Sequence, residues 1–92
     1  STEFEDAMKA ISLGQNQPNP AFGMTTIPVN GEFHSSLQLE VRDALGQLVE
    51  QQVIAPGQKL VEFNTSAWAP GTYFYSLTDG KEFAQTKKLV KN

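Results

Sequence analysis

Trp68-Ala69-Pro70-Gly71-Thr72-Tyr73-Phe74-Tyr75-Ser76-Leu77-Thr78-Asp79-Gly80 holds the chain's only tryptophan and both of its tyrosines. Pro70-Gly71 is a turn signal, because proline presets φ and glycine takes positive φ without steric cost. The residues that follow are aromatic and β-preferring, so they read as a strand. Asp79-Gly80 predicts a tight hairpin, since a type I′ turn needs positive φ at both central residues. The run from Lys81 to Val90 then returns antiparallel and ends the chain. Alternation gives the first strand two faces. Tyr73, Tyr75 and Leu77 form the expected core face. Thr72, Phe74 and Ser76 form the other, which leaves Phe74 needing cover from a loop or a partner.

Upstream, strands and turns succeed one another at regular spacing. Gln58 to Asn64 reads as a strand with Val61 and Phe63 as its core pair, and Thr65 to Trp68 as a short crossover capped by Asn64 or Thr65. Before Ala55-Pro56-Gly57 comes a strand from Gln47 to Ile54, with Val49 and Val53 expected inward and Gln51 awkwardly between them. Asp43-Ala44-Leu45-Gly46 turns the chain. Ser36 to Asp43 shows the cleanest alternation, with Leu37, Leu39 and Val41 inward and Gln38, Glu40 and Arg42 outward. Asn30-Gly31 is another tight-turn signal. Met24 to Val29 reads as a strand with Ile27 and Val29 inward. Pro28 cannot donate to a ladder, so this strand is expected at an edge or with a bulge. Gly14 to Pro20 is loop, because prolines lack donors and restrict the residue before them. Ile11-Ser12-Leu13 alternates as a short first strand. In Ser1 to Ala10, Phe4 and Met8 lie at helical spacing behind acidic residues, but one stripe on so short a segment is marginal in water. Residues 1–10 are therefore expected as a solvated acidic linker and 11–92 as the folded domain. About seven short strands predict an all-β fold, an antiparallel sandwich.

The bulk numbers exclude several functions. Ninety-two residues make one domain, without cysteine and with a formal net charge of -3. That composition removes disulfides, thiol chemistry and cysteine-ligated metal, and makes a poor nucleic-acid binder. No apolar run approaches a membrane span. The chain starts without methionine or a secretory signal segment and reads as part of something longer. His34, the lone histidine, reads as a surface residue, and no serine or carboxylate stands at the spacing of a nucleophile pair. Asp43, Asp79 and Glu82 are turn carboxylates without the dense oxygen run of a calcium site. The expectation is a module with no catalytic residues, no cofactor and no metal. Lys87, Lys88 and Lys91 at the C-terminus read as a charged edge strand that resists edge-to-edge pairing.

Four stretches in order resemble the type IX secretion system C-terminal sorting domain (type A), also called the Por secretion tail. The first is Leu13-Gly14-Gln15-Asn16-Gln17-Pro18-Asn19-Pro20, followed by Thr25-Thr26-Ile27. The second is Val41 to Val49, where Asp43, Gly46 and Val49 match a hydrophobic-x-Asp-x-x-Gly-x-x-Val turn. The third is Trp68 to Tyr73, where Gly71 and Tyr73 match a Leu-x-x-Gly-x-Tyr pattern and Trp68 stands in place of leucine. The last is Thr86-Lys87-Lys88-Leu89-Val90-Lys91, abutting the chain end. Gln17 stands where the family often has an aromatic residue.

The resemblance implies an immunoglobulin-like sandwich of seven strands at the C-terminus of a cargo protein. It implies transit through the periplasm and recognition by the outer-membrane translocon and its shuttle proteins, with delivery to the cell surface or the medium. It also implies removal of the domain by a sortase-like peptidase. Lys87, Lys88, Leu89, Val90 and Lys91 are then the recognition residues, on a strand edge that strand addition would read. Edge strands and a proline-bearing first segment also leave a strand-swapped homodimer open. The alternative is a surface carbohydrate-binding or adhesive sandwich, with Trp68 and Phe74 as its aromatic platform.

Overall fold

Leu37, Leu39 and Val41 alternate along one strand, Tyr73, Tyr75 and Leu77 along its neighbour, and all six are buried. Val41 lies opposite Tyr75 and Leu39 opposite Leu77, so two apolar rows form one continuous surface. Ile27, Val29, Val61 and Phe63 supply the facing rows. The computed structural model describes residues 1–92. Its elements are helix α1 (Thr2–Lys9) and strands β1 (Ile11–Leu13), β2 (Met24–Gly31), β3 (Leu37–Asp43), β4 (Leu48–Ile54), β5 (Leu60–Asn64), β6 (Gly71–Thr78) and β7 (Phe83–Lys91). They build two antiparallel sheets, β1-β2-β5 and β4-β3-β6-β7, packed as a sandwich. The arrangement is immunoglobulin-type, with the fourth strand in the second sheet where the constant-type fold keeps it in the first.

Two of the expected turns form as read. Asp43 accepts from the N–H groups of Leu45 and Gln47, both at 2.9 Å, and Gly46 closes the turn at φ +85°. Asn64 caps the crossover, its side chain accepting from Ser66 N–H at 3.0 Å.

Four expectations need correction. Val49 and Val53 face solvent, 37% and 62% exposed. The register shifts at the start of β4, where Val41 faces Glu50 and Arg42 faces Leu48. Val49 is the extra residue of that bulge, so Glu50, Gln52 and Ile54 take the inner side. Gln52 is tolerated there because its amide donates to Glu62 O at 2.6 Å.

Asn30-Gly31 is no hairpin. It ends β2, pairing with Ser12 and Ile11. Gly31 is required for space as well as for its φ of +112°, since a Cβ there would lie 1.8 Å from Ala10 O. The Asp79-Gly80 hairpin is wider than a two-residue loop, because Thr78 pairs with Phe83. The Asp79 carboxylate binds the N–H groups of Lys81 and Glu82 at 2.9 and 2.8 Å, holding the longer turn open.

Residues 1–10 are not solvated chain. Ser1 caps α1 by accepting from Phe4 N–H at 3.2 Å, and Phe4 and Met8 are buried. Packing onto the sandwich supplies what so short a helix lacks on its own.

Candidate recognition site on the last strand

Strand alternation divides the terminal motif between two faces. Leu89 is fully buried in the core, and Lys91 is buried beside it with Nζ donating to Asn92 O at 2.7 Å. Lys87 shares this inner side and is half-buried. Thr86, Lys88 and Val90 lie on the outer face of the four-stranded sheet. There Lys88 sits opposite Phe74 and Val90 opposite Thr72, while the hydroxyls of Thr86 and Ser76 meet at 2.7 Å. Lys88 is exposed and joins no ion pair.

β7 is an edge strand, but its outer backbone is not free. Gln15 donates through its amide to Lys88 O at 2.7 Å. Val90 N–H donates to the Asn19 side chain at 3.0 Å, Ala21 N–H to Val90 O at 2.6 Å, and Asn92 N–H to Ala21 O at 3.0 Å. The chain's own 15–21 segment thus occupies the edge that strand addition would need, which corrects the expectation of an open last strand. Near its start, β7 is tied inward by Gln85, at φ +56°. That side chain accepts from Leu13 N–H at 2.8 Å and donates to Ile11 O at 2.8 Å and Met8 O at 3.2 Å.

A buried polar knot holds the 15–21 segment in place. Gly14 N–H donates to Pro28 O at 2.8 Å. The return bond of such a pair would run from residue 28 to Gly14 O, and proline has no donor. Tyr75 fills the gap, its hydroxyl donating to Gly14 O at 2.8 Å and accepting from Asn16 N–H at 2.9 Å. Burial pushes that hydroxyl up to about 12, against the opposing pull of the Asn16 N–H. Gly14 itself must be small, because a Cβ would lie 2.9 Å from Pro28 Cγ. Asn16, fully buried, donates to Pro18 O at 3.0 Å and Thr25 Oγ1 at 3.1 Å, and Thr25 donates to Pro18 O at 3.0 Å. The peptide bonds before Pro18 and Pro20 are cis. β2 lies between β1 and β5 and not at an edge. The irregularity that Pro28 implied sits on its partner: Leu13 faces Val29 and Gln17 faces Thr26, four steps against three.

The structure brings the sequence motifs together around β6 and β7. Asn19 bonds Val90; Gly71 and Tyr73 pair with Lys91 and Leu89; Asp43 pairs with Tyr73. Tyr73 donates to Ala69 O at 2.6 Å, the corner bond that tyrosine makes in many immunoglobulin-type sandwiches. Val49, Pro18 and Pro20 make no contact with Lys88 through a hydrogen bond. Trp68 and Phe74 do not form one platform. Trp68 packs between Phe63 and Tyr73, ring centroids 6.2 and 4.9 Å away, while Phe74 lies on the outer sheet face. Sequence reading missed Asn16, Gln85 and the Tyr75 hydroxyl. Only the asparagine carried a signal, as a loop residue between a glycine and two prolines.

A search of curated proteins finds no match. A family model described as the secretion system C-terminal sorting domain matches residues 17–92, the stretch that runs from the proline loop to the end of β7, and the chain belongs to that family.

Proposed function

We propose that the type IX outer-membrane translocon reads this domain in its folded state, through the outward side chains of β7 and Lys88 first among them. Membership in the family makes the domain a sorting signal for export through the outer membrane to the surface or the medium. The finer reading rests on one observation. Lys88 is exposed and unpaired on a strand whose backbone is bonded on both edges. A side chain that the fold does not use is free to be used by a receptor. In this reading Leu89 and Lys91 hold the strand down, and Lys88 and Val90 are presented. The domain is a passive label that meets the machinery in the periplasm. A sortase-like peptidase removes it afterwards. Such a peptidase needs extended chain, and α1 is folded with Phe4 and Met8 buried, so the cut lies at or before Ser1.

The test is a reporter fused to the domain in a host carrying the type IX machinery. Lys88→Ala should shift stability by no more than about 0.5 kcal/mol yet strand the reporter in the periplasm. Normal export of this variant would sink the reading.

A further inference from the structure

We infer that the outer face of the four-stranded sheet, centred on Phe74, is a docking surface for a protein partner that presents an apolar side chain beside a carboxylate. The inference rests on the proposed reading of β7 and extends it to residues of β3, β6 and the turns.

The face holds a shallow depression of about 430 Å³. Phe74, Ser76 and Thr86 are among its lining, with Phe83 and the Arg42–Gly46 stretch around them. Phe74 and Phe83 remain 39% and 53% exposed, and Leu45 on the adjoining turn is 86% exposed. Exposed rings gathered at a concavity mark binding surfaces more often than rings scattered singly.

Charge decides the kind of partner. Four charged groups meet the depression or its rim. Glu40 and Arg42 pair at 2.7 Å, so each neutralises the other. Asp43 keeps its charge, with Oδ1 turned to two backbone N–H groups of its own turn. Lys88, directly opposite Phe74, is the cation left without an acidic partner. On a chain of net charge -3, an unpaired cation beside exposed rings suits an apolar group flanked by an acid. Such a match also fixes orientation and speeds encounter. The surface is continuous with the outward half of the terminal motif, since Lys88 and Val90 belong to both.

The experiment compares Phe74→Ser and Phe83→Ser with Leu60→Ser, an exposed apolar residue of the other sheet. Each is fused to an exported reporter in a host with type IX machinery. Each purified domain is also titrated onto outer membranes from that host and from a strain lacking the machinery. The expected result is unchanged folding for all three, with export lost and machinery-dependent binding about tenfold weaker for the two phenylalanine variants only. Added salt should weaken binding of the unmodified domain more than that of Lys88→Ala. Normal export of both phenylalanine variants, or equal loss with Leu60→Ser, would overturn the proposal. So would a dimer in sedimentation that Phe74→Ser dissolves, because the occupant would then be a second copy. If Lys88→Ala blocks export while Phe74→Ser does not, this surface fails and the reading of β7 stands. If neither blocks export, the reading of β7 fails.

Discussion

Tyr75→Phe removes one oxygen and keeps the buried ring. The ring is fully buried, so its packing is untouched. What is lost is the donor to Gly14 O and the acceptor for Asn16 N–H. Gly14 O finds no backbone donor in its place because residue 28 is proline, and Asn16 N–H has Tyr75 as its hydrogen-bond acceptor. A buried backbone group left unpaired costs about 1–3 kcal/mol. Gly14 is half-exposed and water reaches it, so about 1 kcal/mol fits there; Asn16 is fully buried, so about 2 kcal/mol fits. The sum, about 3 kcal/mol, lowers the melting temperature of a domain this size by about 12–24 °C. Tyr73→Phe is the matched control: it frees only the carbonyl of exposed Ala69 and should cost about 1 kcal/mol or less. The ionisation of Tyr75 gives a second readout. Its hydroxyl titrates at about 12 when folded, against 10.0 for the ordinary group. A folded value above the unfolded one means that the neutral phenol stabilises the fold. That contribution is fully present below pH 10 and is lost as pH rises from 10 towards 12, amounting to roughly 2–3 kcal/mol. Thermal melts at neutral pH and urea unfolding across pH 8 to 12, each on wild type and Tyr75→Phe, test the two claims. A melting temperature lowered by less than about 4 °C, or a stability difference that does not shrink above pH 10, would refute the role given to the hydroxyl.

Gly31→Ala and Gly46→Ala both place a side chain at positive φ, yet their costs should differ widely. At Gly46 nothing lies within 4 Å, so only the backbone penalty of about 1–2 kcal/mol applies, read as a modest drop in the urea midpoint. At Gly31 the new Cβ meets Ala10 O, and calorimetry should find a larger loss, with β1 and α1 displaced. Deleting Lys91 and Asn92 removes the partner of Ala21 O and the pairing of Lys91 with Gly71. It should destabilise the domain measurably, unlike Lys88→Ala, so circular dichroism melts of the two must separate.

Strand rows that bury one full face were legible in the chain. Leu37, Leu39 and Val41, or Val61 and Phe63, alternate without interruption, and burial follows from period two. β4 was misread because its valines carry the apolar signal while a bulge at Val49 sets the facing, and a bulge leaves no mark in composition. α1 was underrated because its stability comes from the sandwich surface beneath Phe4 and Met8. The terminal strand was legible by its position and charge. Its cover was not, because the bonds from Gln15, Asn19 and Ala21 join residues some seventy positions apart. Asn30-Gly31 shows the limit of dipeptide signals: the same φ demand serves a hairpin or a close strand crossing, and only the neighbour at Ala10 decides.

The 15–21 segment touches β7 through a parallel bridge at Ala21 and Lys91, and this has a mechanical consequence. A hairpin pulled from its open end unzips one bond at a time. Segments lying parallel, drawn apart along their own direction, load their bonds together. Force applied between Gly14 and Asn92 would therefore fall at once on the bonds of Gln15, Asn19, Ala21 and Asn92. In that geometry the terminal strand is sheared and does not peel. Single-molecule extension between those two points should show one rupture peak, not a staircase of small ones.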